Sequence, residues 1–463
     1  MVTLGIILAF LAGLLTINLI ANAFMNDCHF SWVEQIGAAF PIGIGLQTLL
    51  MLLMDLIHLP LTRSGMIAGA ASLCVILCIA IFVKLMVQHP HIEPDKGPRP
   101  SQYNLVWLFF IGLIIYFEYM NFCKCIYTPT FDRDSLAGFD TIGYIIAQEH
   151  TFKGLSIFQA DYIPDIHQAG SYIVYPPLVQ LSYAFVYLLG AETSKIIPAL
   201  MFLSFLFIFY GSLKRVIGAT GAAIGTFFML ITPEMIAFSS LSATNNIHAV
   251  FAASGVIYTA LWIKYQEKKD LYLATLMLGL NLLCRTEGIV FILAALLVLG
   301  IHALKHKDWK NIPTVALAFI PGLFWALCCK LNGFYAESAT ILHPFWDSEK
   351  AHTIWSYMKS HFTSTQYYGF TFVVLFFSTL LNIWNLIKRK DNWALLVMFV
   401  TAAILYILIL YHIEYKWDTI QNVLAFSAKR FLFCFVPIAW FIALSNRWMV
   451  GCWDKLTHFL GKK

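Results

Sequence analysis

Apolar residues along this chain come in long unbroken runs, not in the alternation of a half-buried strand or the three-four spacing of a half-buried helix. Four runs open it, at about 3–24, 36–58, 65–88 and 104–122. Nine more follow at about 193–211, 219–239, 247–263, 271–283, 289–304, 312–330, 367–387, 393–411 and 431–446. About 20 consecutive apolar residues cross a bilayer as a helix. The pattern therefore predicts an all-α polytopic membrane protein with about 13 transmembrane helices. The runs at 271–283 and 176–190 are both short for a span. The first run lacks a basic start, so despite Ala21, Asn22 and Ala23 it reads as a retained helix and not a cleaved signal.

The polar connections between runs alternate in chemistry. One set is short and basic: Lys214-Arg215, Lys264 to Lys269, Lys305 to Lys310, Lys388-Arg389-Lys390, and the tail with Arg447, Lys455, Lys462 and Lys463. The positive-inside rule places these in the cytoplasm, together with loop 89–103 and its Lys96 and Arg99. The other set, about 123–175, 240–246, 284–288, 331–366 and 412–430, then faces outward and is rich in Tyr, Trp, His and carboxylates. With 123–175 and 191–195 on the same side, 176–190 cannot span and reads as a re-entrant or interfacial helix.

Composition agrees. Only 12% of the 463 residues are charged and 60% are hydrophobic, whereas a soluble domain is about a quarter charged; a water-soluble enzyme, a disordered chain and a disulfide-stapled module are excluded. The net charge of +5 is dispersed, with no basic stripe, so no nucleic-acid partner is expected. Most of the ten cysteines sit inside apolar runs, where a thiol is a small hydrophobe. Cys123 and Cys125 match no zinc spacing, and no metal or other cofactor is expected.

The loop at 123–175 is too long for a turn. It holds Asp132, Arg133, Asp134, Asp140, Glu149, His150, Lys153, Asp161, Asp165 and His167, and closes with Tyr175-Pro176-Pro177-Leu178. Asp140 suits the N-cap of a short helix, with Tyr144 and Ala147 following on one face. It reads either as that cap or as a catalytic carboxylate. Asp132 and Asp134, flanking Arg133, read as a self-neutralised cluster.

The run Asp140-x-x-x-Tyr144-x-x-Ala147 and the later Tyr175-Pro176-Pro177-Leu178 resemble the first outer loop of the GT-C membrane glycosyltransferases, which include protein O-mannosyltransferases and aminoarabinose transferases. Further pieces are similar in order: Leu213-Lys214-Arg215-Val216-Ile217-Gly218, Thr232-Pro233 through Asn245-Asn246, Leu283-Cys284-Arg285-Thr286-Glu287-Gly288, and Lys429-Arg430-Phe431-Leu432 with Val436-Pro437. The resemblance covers roughly residues 104–445. It divides the chain into N-terminal transmembrane helices, 1–103, and a GT-C-like catalytic membrane domain, 104–463, with outer loops at about 123–175 and 331–366.

The resemblance implies transfer of a sugar, with inversion, from a polyprenyl-phosphate carrier to an acceptor hydroxyl on a glycan, lipid or protein, at the outer face of a membrane, here a bacterial inner membrane with the site facing the periplasm. Asp140 would be the general base, with Asp134 and Asp132 behind it. The leaving phosphate needs cations, for which Arg285 and Arg430 stand first and Lys429 and Arg133 second. Arg285 and Arg430 lie on the expected outer side, against the positive-inside trend. Each has a plain reading too: Lys429-Arg430 snorkelling at a helix end, Arg285-Thr286-Glu287 an internal ion pair. Tyr144, Tyr175, Glu287, His343 and Trp346 are the candidate substrate contacts. Where relatives often carry an Asp in the 240–246 turn, this chain has Asn245-Asn246 and then His248, which argues against a required metal.

Loop 331–366 adds Asp347, Glu349, His352, Trp355, His361, Tyr367 and Tyr368, and the 412–430 set adds His412, Glu414, Lys416 and Asp418. Aromatics with carboxylates suit sugar binding, and Trp and Tyr equally populate membrane interfaces. Two other functions stay open: an O-antigen-type polymerase or ligase, expected to place its large loop later in the chain, and a transporter or flippase, expected to carry mid-span charges and a hydropathy repeat.

Overall fold

A computed structural model of the protein describes residues 1–23, 30–87, 103–153, 155–158, 172, 174–334, 340–342, 344–388, 391, 393–415 and 419–460. Loop 89–103, apart from Tyr103, and His343, Lys416 and Asp418 lie outside the described residues, as does most of 159–173. Among the described residues every one of the long apolar runs is largely helical. Among the described residues nine helices are long and apolar enough to cross a membrane, and ten if the bent pair Lys429–Ser445 and Arg447–Lys455, which turns by 62°, is one span.

That number is below the thirteen apolar runs for identifiable reasons. Ile196–Leu230 carries two runs joined at Gly218. Lys268–Cys284 and Thr371–Ile387 are each 17 residues long, a little short for a bilayer. Gly218 sits at φ 79°, ψ 176°, a conformation essentially open to glycine alone. The chain reverses there: a side chain at Gly225 would lie 2.8 Å from Leu213. The basic residues Lys214 and Arg215 are thus carried at a hairpin tip.

Beside that tip a buried ionic knot ties four helices. Arg215 donates to both Asp270 oxygens at 2.7 Å, to Glu267 at 2.8 Å and to Glu34 at 3.4 Å. Glu34 completes a capping box with Ser31 at the start of Trp32–Leu56 and also accepts from the Tyr258 hydroxyl. In hydrocarbon such charges survive only by pairing. Helices Val2–Ala23 and Trp32–Leu56 touch backbone to backbone, since Cβ atoms at Gly13 and Gly43 would fall 1.8 Å from carbonyl oxygens.

At the opposite end lie the carboxylate-rich connections. Leu178–Leu188 has 11 residues, roughly 16 Å of helix against a core of about 30 Å. It is buried under Asp140–Glu149 and reaches Tyr172 through Gln180, in keeping with a segment that does not cross. Strands Thr340–Leu342 and Ile413–Tyr415 pair antiparallel, Ile341 opposite Glu414. The 331–366 and 412–430 connections are thereby joined, and Asp347 caps helix Ser348–Thr363.

Replacing Gly218 by Val should cost about 1–3 kcal/mol through backbone strain alone. It reads as a lowered melting temperature of the detergent-purified protein; an unchanged melting temperature would contradict the hairpin.

Candidate active site

Asp140 opens helix Asp140–Glu149 without capping it, which corrects the N-cap expectation. A π-helical turn, Ser135–Phe139, runs straight into that helix, so Phe139 occupies the cap position and no side-chain cap bond forms. The Asp140 carboxylate, 9% exposed, turns instead to tertiary partners. It accepts from the Thr130 hydroxyl at 3.0 Å and from the Tyr187 hydroxyl at 2.7 Å. Among the described residues it forms no ion pair.

Both partners are themselves fixed. Tyr187 comes from the short buried helix Leu178–Leu188, and burial followed by the Asp140 charge pushes its hydroxyl up to about 12. Thr130 lies on the turn leaving Leu105–Tyr127 and sits 3.4 Å from the Ser242 hydroxyl. Lys195, 1% exposed, holds that turn: its ammonium donates to the Thr128 carbonyl at 2.8 Å, the Thr128 hydroxyl at 2.9 Å and the Pro129 carbonyl at 3.4 Å. Burial lowers Lys195 below an ordinary lysine, opposed by Cys125 and Asp140.

The other two aspartates are placed differently from a self-neutralised cluster. Asp132 caps the π-turn, accepting from the Ser135 amide and hydroxyl at 3.1 Å. Asp134 pairs with Arg430 from the far end of the chain. Arg133 is exposed and makes no ion pair among the described residues. Lys429, next to Arg430, pairs with Glu234 at 2.8 Å and lies 4.1 Å from the centre of the Tyr367 ring. Neither base merely snorkels; each is held by a carboxylate.

Arg285 sits at the break between Lys268–Cys284 and the next helix. Its guanidinium takes Glu287 at 2.8 Å, Asn245 at 3.1 Å and the Thr244 hydroxyl at 3.3 Å. Tyr175 joins this group to the Asp134 region. Burial raises its hydroxyl well above the usual tyrosine range, with Arg285 opposing and Glu287 and Asp134 adding to the rise. Tyr175 and Tyr172 both pack edge-on against Phe139, at 5.1 and 5.5 Å. Burial likewise pushes Tyr172 up to about 12, with Asp134 adding and Arg133 and Arg430 opposing. Phe139 is therefore the apolar pin between Asp140, which follows it in the chain, and the Arg430–Asp134 pair.

The structure thus brings Asp140, Asp134, Asp132, Arg285, Glu287, Arg430, Lys429 and Tyr175 to one end of the helical bundle. Tyr144 is half exposed and stands edge-on to Tyr187 at 5.5 Å, so it borders Asp140 from outside. Trp346 is 78% exposed beside Tyr411, and no described contact links it to Asp140, Arg285 or Arg430. Mean hydropathy and burial together make the chain an integral multi-pass membrane protein with this polar group at one end.

Residues 175–326 match the family model described as dolichyl-phosphate-mannose-protein mannosyltransferase. This match supports a GT-C membrane glycosyltransferase. It covers about a third of the chain, from Tyr175 through Lys195, Asn245 and Arg285, and leaves Asp140 and Arg430 outside. Comparisons with curated proteins and with solved structures returned no match.

Several residues of this polar site carry no sequence pattern of their own. Thr130, Tyr187 and Ser242 are ordinary residues of an outer turn or an apolar helix until the fold assembles them. Glu234 looks like a helix-start acid. Lys195 does leave a trace: it is the one Lys or Arg between Lys153 and Lys214 and lies on the carboxylate side.

Lys195→Met removes the three hydrogen bonds that a buried ammonium gives this turn and should cost about 1–3 kcal/mol, read as a drop in melting temperature. The exposed Lys153→Met is the control and should stay within about 0.5 kcal/mol of the parent. Equal melting temperatures for the two variants would remove Lys195 from the support of the Asp140 turn.

Proposed function

We propose that the chain transfers a sugar from a polyprenyl-phosphate carrier to an acceptor hydroxyl, with Asp140 as general base and inversion at the anomeric carbon. The observation that carries this reading is the environment of Asp140. Two hydroxyl donors orient its carboxylate and, among the described residues, no cation pairs with it, so the carboxylate is left for a substrate proton. The family match over residues 175–326 supports the donor class.

In the reaction, Asp140 takes the proton of the acceptor hydroxyl as that oxygen bonds to the anomeric carbon. The bond from that carbon to the phosphate oxygen breaks, and the phosphate leaves with the electron pair. The leaving group needs positive charge rather than a strong acid. Arg285 is the first candidate: its Glu287 and Asn245 contacts are exchangeable for phosphate oxygens, and a guanidinium matches them in pairs. Arg430, now on Asp134, is the second, and Lys429 stands behind them. Glu287, released by that exchange, and Tyr175 border the reacting groups. Tyr144 lies at the rim, where an acceptor would approach.

The basic turns at Lys214-Arg215 and Lys264 to Lys269 lie at the end opposite to Asp140. By the positive-inside rule the site opens on the outer face, which is the periplasm if the membrane is a bacterial inner membrane. The donor enters sideways from the bilayer, which accounts for a site built without a glycine-rich phosphate loop.

Asp140→Asn should lower kcat by a factor of about 10²–10⁴, the usual contribution of a general base, with donor KM little changed. Arg285→Ala should instead raise donor KM. Near-normal turnover by Asp140→Asn, measured on purified protein with a panel of polyprenyl-phosphate sugars, would overturn the assignment.

A further inference from the structure

The polar residues around Arg285 are not all satisfied. Asn245, His248 and Asn281 are 2%, 1% and 0% exposed. The Asn245 amide nitrogen, both His248 ring nitrogens and both Asn281 amide atoms have no hydrogen-bond partner among the described residues. The Asn281 amide lies against the His248 ring. Asn245 and His248 are three apart on helix Thr244–Tyr265 and so share a face. Asn281 comes from the facing helix, one turn before Arg285. Burying polar groups unpaired is costly, and five such atoms at one place, beside the cation assigned to the donor phosphate, call for a ligand or a function.

We infer that Asn245, His248 and Asn281 form the subsite for the sugar ring of the lipid-linked donor, the hydroxyl groups of the sugar completing their hydrogen bonds. This inference rests on the donor reading proposed above. The chemistry of the set selects a neutral polyhydroxylated ligand. Amides and an imidazole offer donors and acceptors in mixture, as hydroxyl groups do. An anion would leave the acceptors unmatched, and a metal cation would sit against Arg285. Aromatic rings border the set as well: the His248 ring lies 5.9 Å from Phe291, which stacks on Phe431 at 6.1 Å.

Arg285 closes this set. Its guanidinium occupies Asn245 and Thr244, while its side chain and that of Glu287 remain 19% and 25% exposed. A donor phosphate that draws Arg285 outward frees the Asn245 carbonyl and uncovers the other two residues for the ring attached to that phosphate. The carrier's charge and its sugar are then read at adjoining places.

The test compares two lipids on detergent-purified protein, dolichyl-phosphate-mannose and sugar-free dolichyl phosphate, with the variants His248→Phe and Asn281→Leu. Wild type should prefer the mannose-bearing lipid. Each variant should lose about tenfold in affinity for that lipid alone, with sugar-free binding unchanged. Their melting temperatures should hold or rise, since apolar groups of similar shape replace unpaired polar ones. Variants that keep the preference, or that weaken both lipids equally, overturn the subsite. So does a fall in melting temperature with the preference intact, or a raised acceptor KM with donor binding unchanged. If wild type binds neither lipid, the donor reading itself falls and the subsite with it.

Discussion

The bilayer offers no water to a buried polar group, and everything else in this protein follows from that constraint. Backbone groups are absorbed into helices, and charged side chains are driven to the two ends or into pairs. At one end Arg215 gathers Asp270, Glu267 and Glu34 into a knot with little left over. At the other end the pairing is of a different kind. Arg285, Arg430 and Lys429 each hold a single carboxylate among the described residues, where Arg215 holds three. Among the described residues Asp140 is held by hydroxyls alone. In the proposed reaction the first end stays closed, while the second trades contacts with the phosphate of the donor.

How Asp140 comes to be free is a matter of backbone geometry. A π-turn delivers the chain into its helix already wound, so no cap is needed and the carboxylate is not spent on backbone amides. The segment that supplies its Tyr187 partner is too short to cross the membrane. A full span at that position would carry Tyr187 away from the outer loop. The short helix and the π-turn are thus two parts of one arrangement, pinned by Phe139 between Tyr172 and Tyr175.

Much of this architecture was legible in the sequence, because run length and the sign of loop charge are direct consequences of the bilayer. The apolar runs, the short 176–190 segment and the clustering of Asp140, Arg285 and Arg430 at one end all follow from those two signals. What the sequence hid depends on long-range pairing. Asp134 meets Arg430 across nearly the whole chain, and Lys429 meets Glu234, so their neighbours in sequence misled. Asp134 looked neutralised by Arg133, which in the fold stands exposed. The capping reading of Asp140 failed for a local reason: the acid is well placed for a cap, but the preceding residues already form a turn. Gly218 was visible only as part of a basic motif, its role as a hairpin hinge fixed by the backbone angle.

The proposed reaction is a single displacement at the anomeric carbon, with Asp140 as its base. It is tested most directly by the anomeric configuration of the product. With a donor of defined configuration on the polyprenyl phosphate, nuclear magnetic resonance of the product should report the opposite configuration at the transferred sugar. Retention of the donor configuration would require a covalent intermediate or a second displacement, and would contradict the role given to Asp140.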